Sequence, residues 1–326
     1  MTRYAVVRGR FAPVTQDAMG RLRGALKRFD RLIVLIAAAE VAPSCRLPWT
    51  ATHRATMLTH ALGDDIGRVD IRLSADHPYS PDDLRAATEA HVHGVLRLHG
   101  DDGAYVEHLP DEAASPELIA DLFEGRDDAL RTAVAEGTFS ALSAFRGDPG
   151  YGRLATEHKY IKDYKTSWSS APWPVNLVTV DLVIVCTPPA GENAGKSHIL
   201  LVRRGGINGY GQWATPGGFL ERDERLRDAA FRELREETGL ILSDDEAREA
   251  LCDVAVFDDP ERSARGRVIT HGFYFHLKRE LPVVAGADDA LEARWVPVRE
   301  LPAMHGTFFE DHPHVIGRFV PEARLS

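Results

Sequence analysis

The sequence predicts an α/β protein of two domains. Three observations carry this. From residue 1 to about 150, strand-like and helix-like stretches alternate, a pattern that builds a parallel sheet with helices on both faces. From about 177 to 326, two apolar runs of strand length lead through a glycine-rich turn into an acidic helix. Between the halves, Pro172 and Pro174 stop any helix from continuing. The expected organisation is 1–150, a linker at 151–176, and 177–326.

Tyr4–Val7 reads as a strand ending at Gly9, and residues 15–28 as a helix. Leu32–Ala37 is a continuous apolar run, the mark of a strand buried on both faces. Thr50 is placed to cap a helix running to about Leu62, its hydroxyl accepting an otherwise orphaned amide N–H. Val69–Leu73 and Gly94–Leu98 are further strand candidates, with helices near 81–90 and 116–135. Ligands of such sheets sit at the carboxyl ends of the strands. In the second half, Asp181–Cys186 and His198–Arg203 are apolar strands around a Pro/Gly/Asn loop. Gly209–Trp213 and Ala214–Phe219 follow, where Gly217 and Gly218 allow close backbone approach.

The next helix carries Glu233, Glu236 and Glu237. Residues at i, i+3 and i+4 share one face, so three carboxylates crowd together and repel. The crowding makes sense with a divalent cation between them, and hard oxygen ligands suit Mg²⁺ or Mn²⁺. Bound metal can activate a water and neutralise a diphosphate in one step. The plainer alternative is an exposed acidic helix that Gly239 terminates.

The spacing G-x5-E-x7-R-E-U-x-E-E-x-G-U, with U a bulky aliphatic, is met by Gly218, Glu224, Arg232, Glu233, Leu234, Glu236, Glu237, Gly239 and Leu240. The segment thereby resembles the Nudix hydrolases at every fixed position. That resemblance implies an α/β/α sandwich with a mixed sheet for 177–326. It also implies a metal shell of Glu233, Glu236, Glu237 and the Gly218 carbonyl, in a catalytic set of Glu236, Glu233 and Arg232. Glu236 leads as general base; Asp258, Asp259, Glu261 and Glu310 are alternatives outside the motif, and geometry decides among them. Arg232 is expected to orient the glutamates, and Glu224 to complete the shell or support the turn.

In the first half, Gly9-Arg-Phe-Ala-Pro13 resembles the opening of the nucleotidyltransferase fingerprint G-R-F-x-P-x-H-x-G-H. Pro48-Trp49-Thr50 with Arg54, and Ser143-Ala-Phe-Arg146, resemble segments of nicotinamide-mononucleotide adenylyltransferases. A Rossmann-like nucleotidyltransferase-type domain is implied. Yet the two histidine positions hold Thr15 and Ala18, the motif glycine is Asp17, and the glutamate before Arg54 is His53. In the family those histidines stabilise the phosphates during adenylyl transfer, and loss of such donors costs orders of magnitude in rate. The expectation is the fold without the adenylyltransferase activity.

Ile161-x-Asp163-Tyr164-Lys165-x-x-Trp168, then Pro172-x-Pro174 and Val178-Thr179-x-Asp181, resemble the junction of bifunctional adenylyltransferase–Nudix proteins of NAD metabolism. In those the Nudix half is an ADP-ribose pyrophosphatase. Phe257-Asp-Asp-Pro260, Arg262, Arg265-Gly-Arg267, Ile269-Thr-His271, Ala293-Arg-Trp295 and Phe309-Glu-Asp-His312 extend the resemblance. It implies cleavage of ADP-ribose to AMP and ribose 5-phosphate, with NADH, diadenosine compounds and nucleotide sugars left open. Arg262 and Arg265 would pair with phosphate or ribose oxygens. Trp168 or Trp173 would stack the adenine. Two other readings are an enzyme that retains both activities and a non-catalytic ADP-ribose sensor; a sensor usually shows eroded glutamates, unlike this chain. Related ADP-ribose hydrolases often dimerise; the oligomeric state of this chain is left open, with a homodimer as one option.

Composition narrows the class. The 326 residues are 44% hydrophobic and 27% charged, as in globular proteins. A net charge of −10 argues against general nucleic-acid binding, which wants a basic face. The N-terminus lacks the apolar core of a signal peptide, and no run reaches the length of a membrane span. Cys45, Cys186 and Cys252 are odd in number and widely spaced, which disfavours a disulfide framework or zinc site. The expected compartment is the cytoplasm.

Overall fold

The computed structural model describes residues 1–304 and 306–323. The chain divides into two compact units, Met1–Lys159 and Tyr160–Ser326. Among the described residues no helix is long and apolar enough to cross a membrane.

The first unit is built on four parallel strands: β1 (Arg3–Gly9), β2 (Arg31–Ile36), β3 (Val69–Leu73) and β4 (Tyr105–His108), in the order β3-β2-β1-β4. Side chains alternate faces along each strand. Ala5, Val7, Leu32, Val34 and Ile36 therefore enter one core, with Leu22 and Leu58 from α1 (Gln16–Leu26) and α2 (Ala51–Leu62). Tyr4, Val6, Ile33 and Leu35 enter the other, with Val92, Val95 and Leu96 from α3 (Pro81–His99). Strand order reverses at β1, so the crevice outside its carboxyl end, between β1 and β4, is where a sheet of this class binds ligands. The unit continues through α4 (Pro116–Glu124), α5 (Asp127–Ala133) and α6 (Thr138–Phe145).

Two expectations for this unit are corrected. Gly94–Leu98 is not a strand but the last part of α3. That helix is capped by Ser80, whose hydroxyl accepts from Asp83 N–H at 3.3 Å, starts on Pro81 and stops at Gly100 with φ +70°. Its buried Val92, Val95 and Leu96 follow helical spacing, which the five-residue window 94–98 cannot separate from strand alternation. The strand lies instead at β4, only four residues long. The helix near 116–135 is broken at Gly125, φ +72°, into α4 and α5.

The segment read as a linker begins with a further helix, α7 (Tyr151–Ser167). The prolines lie beyond it, before β5 (Asn176–Cys186).

The second unit carries β5, β6 (His198–Arg204), β7 (Trp213–Ala214), β8 (Gly217–Phe219), α8 (Leu226–Thr238), α9 (Asp244–Ala250), β9 (Leu251–Phe257), β10 (Arg267–Leu277), β11 (Ala290–Pro297) and α10 (His312–Phe319). Its mixed sheet runs β11-β6-β5-β10-β9, with β7 on β6 and β8 on β5. α8 and α9 bury Ala229, Ala230, Leu234, Ala247 and Ala250 against Val180, Leu182, Ile184, Phe273 and Phe275. Phe319 of α10 packs on Phe257 and Tyr274, with ring centroids 5.8 and 5.7 Å away. β5 is the axis. One edge pairs with β10 in parallel over its whole length. The other is shared, with β8 opposite Thr179–Asp181 and β6 opposite Val185–Cys186.

Candidate active site

β8 delivers the chain onto α8 through two glycines. A Cβ at Gly217, φ +154°, would overlap the Val180 carbonyl, and one at Gly218 would overlap the Glu233 carboxylate. Packing of Ala229, Ala230 and Leu234 on the sheet fixes the rotation of α8. Glu237 is thereby turned inward and buried, Glu233 lies at the cavity wall, and the Glu236 side chain remains 37% exposed. Glu237 accepts the Gly217 N–H at 2.9 Å. Burial pushes the Glu237 carboxyl well above the ordinary range, and the charges of Asp289 and Glu233 add to the rise. Burial likewise raises Glu233, with Glu236 and Asp289 contributing.

Arg232 supplies the compensating charge. Its guanidinium donates to Glu224 at 2.7 and 3.0 Å, to Glu233 at 2.8 Å, to Glu236 at 3.1 Å and to the Phe219 carbonyl at 3.0 Å. The Arg232 hydrogen bond holds Glu224 below the usual carboxylate range. Among the described residues no three His, Cys, Asp or Glu side chains stand in a metal-ligating group. Glu233 and Glu236 turn to Arg232 rather than to a point shared with Glu237, because the guanidinium answers their repulsion directly.

A cavity of about 380 Å³ opens here. Its lining includes Gly218, Glu233, Glu237 and Asp289 together with Arg204, Arg265, Phe309 and Glu310. The 306–312 loop is fastened to β7, with Trp213 N–H on the Thr307 carbonyl (2.9 Å) and Phe309 N–H on the Trp213 carbonyl (2.8 Å). Glu310 leaves this loop at φ +42°. Its Oε1 accepts from Ala264 N–H at 2.7 Å and Ser263 Oγ at 3.1 Å, and its Oε2 makes no hydrogen bond with a described residue. Arg204 and Arg265 lie 4.2 and 5.9 Å from the Phe309 ring centroid, two cations on one ring. Arg204 donates its Nε–H to the Asn208 carbonyl at 3.2 Å. Burial and the charge of Arg265 lower its pKa.

The expected residues fall in different places. Gly218, Glu233, Glu237, Arg232 and Arg265 line the cavity; Glu236 and Trp168 do not. Arg262 reaches the wall, but its guanidinium is buried and paired with Asp311 at 2.9 Å and Asp181 at 3.4 Å. Of the candidate bases, Glu310 lines the cavity, whereas Asp258, Asp259 and Glu261 lie outside it.

Beside Arg262, the buried His312 accepts through Nδ1 from Thr215 N–H (3.2 Å) and hydrogen-bonds Thr215 Oγ1 (2.9 Å). Burial lowers its pKa against the opposing pull of Asp181 and Asp311. Below the unfolded value near 6.5 the folded chain then binds fewer protons than the unfolded chain, so stability falls as pH falls through that point. The stability advantage of wild type over His312→Asn is expected to shrink between pH 7.5 and 5.5, by at most about 1.4 kcal/mol per pH unit. Urea melts at the two pH values measure it; an equal advantage at both would refute a neutral buried imidazole.

The sequence of residues 181–319 matches the NUDIX domain model. The C-terminal unit is a Nudix domain. Over 112 residues the chain is 36% identical to an ADP-ribose pyrophosphatase of Methanocaldococcus jannaschii, covering 33% of this chain and 59% of that protein. Over 126 residues it is 32% identical to an ADPR-responsive transcriptional repressor, NtrR, of Acinetobacter baylyi, covering 38% and 44%. The chain thus spans about half the length of these curated relatives. The crystal structure of a bifunctional NMN adenylyltransferase/ADP-ribose pyrophosphatase from Francisella tularensis superposes with a TM-score of 0.85 at 26% identity, over 99% of this chain and all of that one. The α/β architecture of both units is therefore that of the Francisella protein.

Sequence reasoning missed Tyr160, Tyr164, Arg204 and Asp289 in the Nudix cavity. Asp289 and Arg204 carry no local signal, since they meet the motif helix only through the fold. Tyr160, Tyr164 and Trp168 do carry one, an i, i+4, i+8 spacing hidden by reading their segment as linker.

In the first unit, a cavity of about 470 Å³ lies at the mouth between β1 and β4. Thr15, Asp17, Ala18, Arg21 and Glu112 line it. Thr15 caps α1, its hydroxyl accepting from Ala18 N–H at 3.0 Å. Arg21 is paired with both Asp17 and Glu112. The helix N-terminus that would attract a phosphate already holds a capping oxygen and an acidic first turn, with a second carboxylate opposite. The family-like residues that remain have structural work. Trp49 packs on Phe145, with centroids 5.6 Å apart, and Thr50 caps α2. Arg146 holds Asp127 at 2.6 Å.

Proposed function

We propose that this Nudix hydrolase cleaves the diphosphate of ADP-ribose to AMP and ribose 5-phosphate. The observation that carries the reading is one cavity lined both by the carboxylates of Glu233 and the buried Glu237 and by the cations Arg204 and Arg265. Support comes from the Methanocaldococcus relative and from the full-length match to the Francisella protein, also seen complexed with AMP and a manganese ion.

Nudix hydrolases generally use divalent metals. The residues fit one: the donors are hard oxygens, and burial with mutual repulsion disfavours the charged forms of Glu233 and Glu237, a penalty that a cation bound between them would relieve. Glu233, Glu237 and the Gly218 carbonyl would hold Mg²⁺ or Mn²⁺, which when bound neutralises the diphosphate and acidifies water. Arg204 and Arg265 then take the phosphate oxygens as forked donors. Glu310 Oε2, an uncommitted acceptor on a carboxylate anchored by its other oxygen, takes the proton of the attacking water. Arg232 orients Glu233. Incubation of the full chain with ADP-ribose, NADH, diadenosine diphosphate and a nucleotide sugar, with Mg²⁺ and then Mn²⁺, tests the reading by chromatography of the products. Tight binding of ADP-ribose without AMP release would favour a sensor instead.

The first unit is expected not to form NAD from nicotinamide mononucleotide and ATP. Thr15 is committed to its cap, and Asp17 and Glu112 confront any triphosphate. Turnover near 1 per second, an ordinary enzyme rate on the order of which a working site would run, would overturn this.

A further inference from the structure

We infer that Tyr160 and Tyr164 form the nucleobase platform of the Nudix cavity, so that the end of α7 selects an aromatic base on the substrate. The inference rests on the diphosphate reading above and supplies what that reading lacks, a place for the base.

The cavity has four aromatic side chains besides His312: Tyr160, Tyr164, Phe219 and Phe309. The phenylalanines are already covered by guanidinium groups, Arg265 at 4.7 Å from Phe219 and Arg204 at 4.2 Å from Phe309. His312 is buried and hydrogen-bonded to Thr215. The two tyrosines are different. Tyr160 is 37% exposed, and neither phenol hydroxyl bonds a described residue. One helical turn apart, their ring centroids are separated by 6.1 Å and their planes inclined by 34°. A base sandwiched between them would need roughly twice the van der Waals spacing of carbon, about 7 Å, between parallel planes. It therefore lies across an open ring face rather than between the rings, with the hydroxyls free to meet its polar edge. Trp168, next in the series, stands at 67° to Tyr164 with centroids 6.2 Å apart, and continues the row outside the cavity. An ordinary exposed tyrosine needs no explanation. Two consecutive rings over which no guanidinium lies, lining a cavity whose phenylalanine faces are covered, suit a flat π-system. The acids and arginines of the same cavity suit the diphosphate attached to it.

The test uses the full chain and two probes, AMP and inorganic diphosphate, followed by calorimetry, with ADP-ribose kinetics alongside. The double variant Tyr160→Ala, Tyr164→Ala is expected to weaken AMP about ten- to a hundredfold, the usual range for losing aromatic–base stacking. Its affinity for inorganic diphosphate should stay within about twofold, and the KM for ADP-ribose should rise with AMP while kcat changes less than about threefold. Tyr160→Phe with Tyr164→Phe should bind AMP within about threefold of wild type, because the ring rather than the hydroxyl carries stacking. Unchanged AMP affinity in the alanine variant, a parallel loss of AMP and diphosphate, or phenylalanine variants as weak as alanine would each overturn the platform. Binding is read without turnover. A chain that binds AMP through the tyrosines but leaves ADP-ribose intact therefore sinks the hydrolase reading alone, and one that cleaves ADP-ribose with unaltered KM in the alanine variant sinks the platform alone.

Discussion

Glu310→Gln is expected to lower kcat for ADP-ribose by about two to four orders of magnitude, the span contributed by a positioned general base, with little change in KM. Glutamine keeps the carbonyl oxygen that accepts from Ala264 N–H and Ser263 Oγ, so the loop should hold its place and only the proton-accepting oxygen is lost. Glu236→Gln gives the contrast. Its carboxylate is on the solvent side of the helix and touches Arg232, outside the cavity lining. Its loss should act only by loosening Arg232, at roughly the ten- to hundredfold level of a supporting residue. If Glu236→Gln is the more damaging of the two, the base belongs to the motif helix and Glu310 only ties the 306–312 loop down.

The second large effect concerns stability. Arg54 is fully buried in the first unit and donates to four carbonyls: Arg10 at 2.7 Å, Ala37 at 2.8 Å, Ala38 at 3.0 Å and Trp49 at 3.3 Å. These acceptors follow β1 and β2 and precede α2, so one side chain gathers the loops at the carboxyl edge of the sheet. Burial pushes its pKa down to about 10, with Arg10 adding to the fall, and it stays charged at neutral pH. Arg54→Ala strands the acceptors and leaves a cavity, at a cost of about 3–5 kcal/mol by analogy with breaking a buried charged network. A unit of this size should melt about 10 °C lower or more. Differential scanning calorimetry reads it; a shift below about 2 °C would mean that water replaces the guanidinium without penalty.

Arg54 also shows how far the sequence could be read. Its place in a family-like segment was visible, but whether it held substrate or structure was not, because that depends on carbonyls from two separate loops, after β1 and between β2 and α2. The first three strands of the first unit and the capped helix at Thr50 were legible, since each depends on local periodicity or one cap. Gly94–Leu98 was misread because a short apolar run fits both periods, and Gly125 because a single glycine does not announce a break. The motif glutamates announced the chemistry, yet only the rotation of α8 separates the inward Glu237 from the outward Glu236. Glu310 was one of several acids until the 306–312 loop was seen fastened to β7.

The uneven edges of β5 have a consequence for how the Nudix domain breathes. The ladder with β10 is unbroken from Asn176 to Cys186, and β5 is buried from Thr179 onward. Amide hydrogens in this floor should exchange with solvent only through global unfolding, whereas the walls, held by a few loop hydrogen bonds, open on their own. A ligand can then enter and leave by fluctuations at 205–212, 258–266 and 306–312 without disturbing the ladder. The deuterium record of ligand binding should accordingly be written at the Ala264 and Gly217 amides, each held by a single carboxylate, Glu310 and Glu237, and stay silent along the centre of β5.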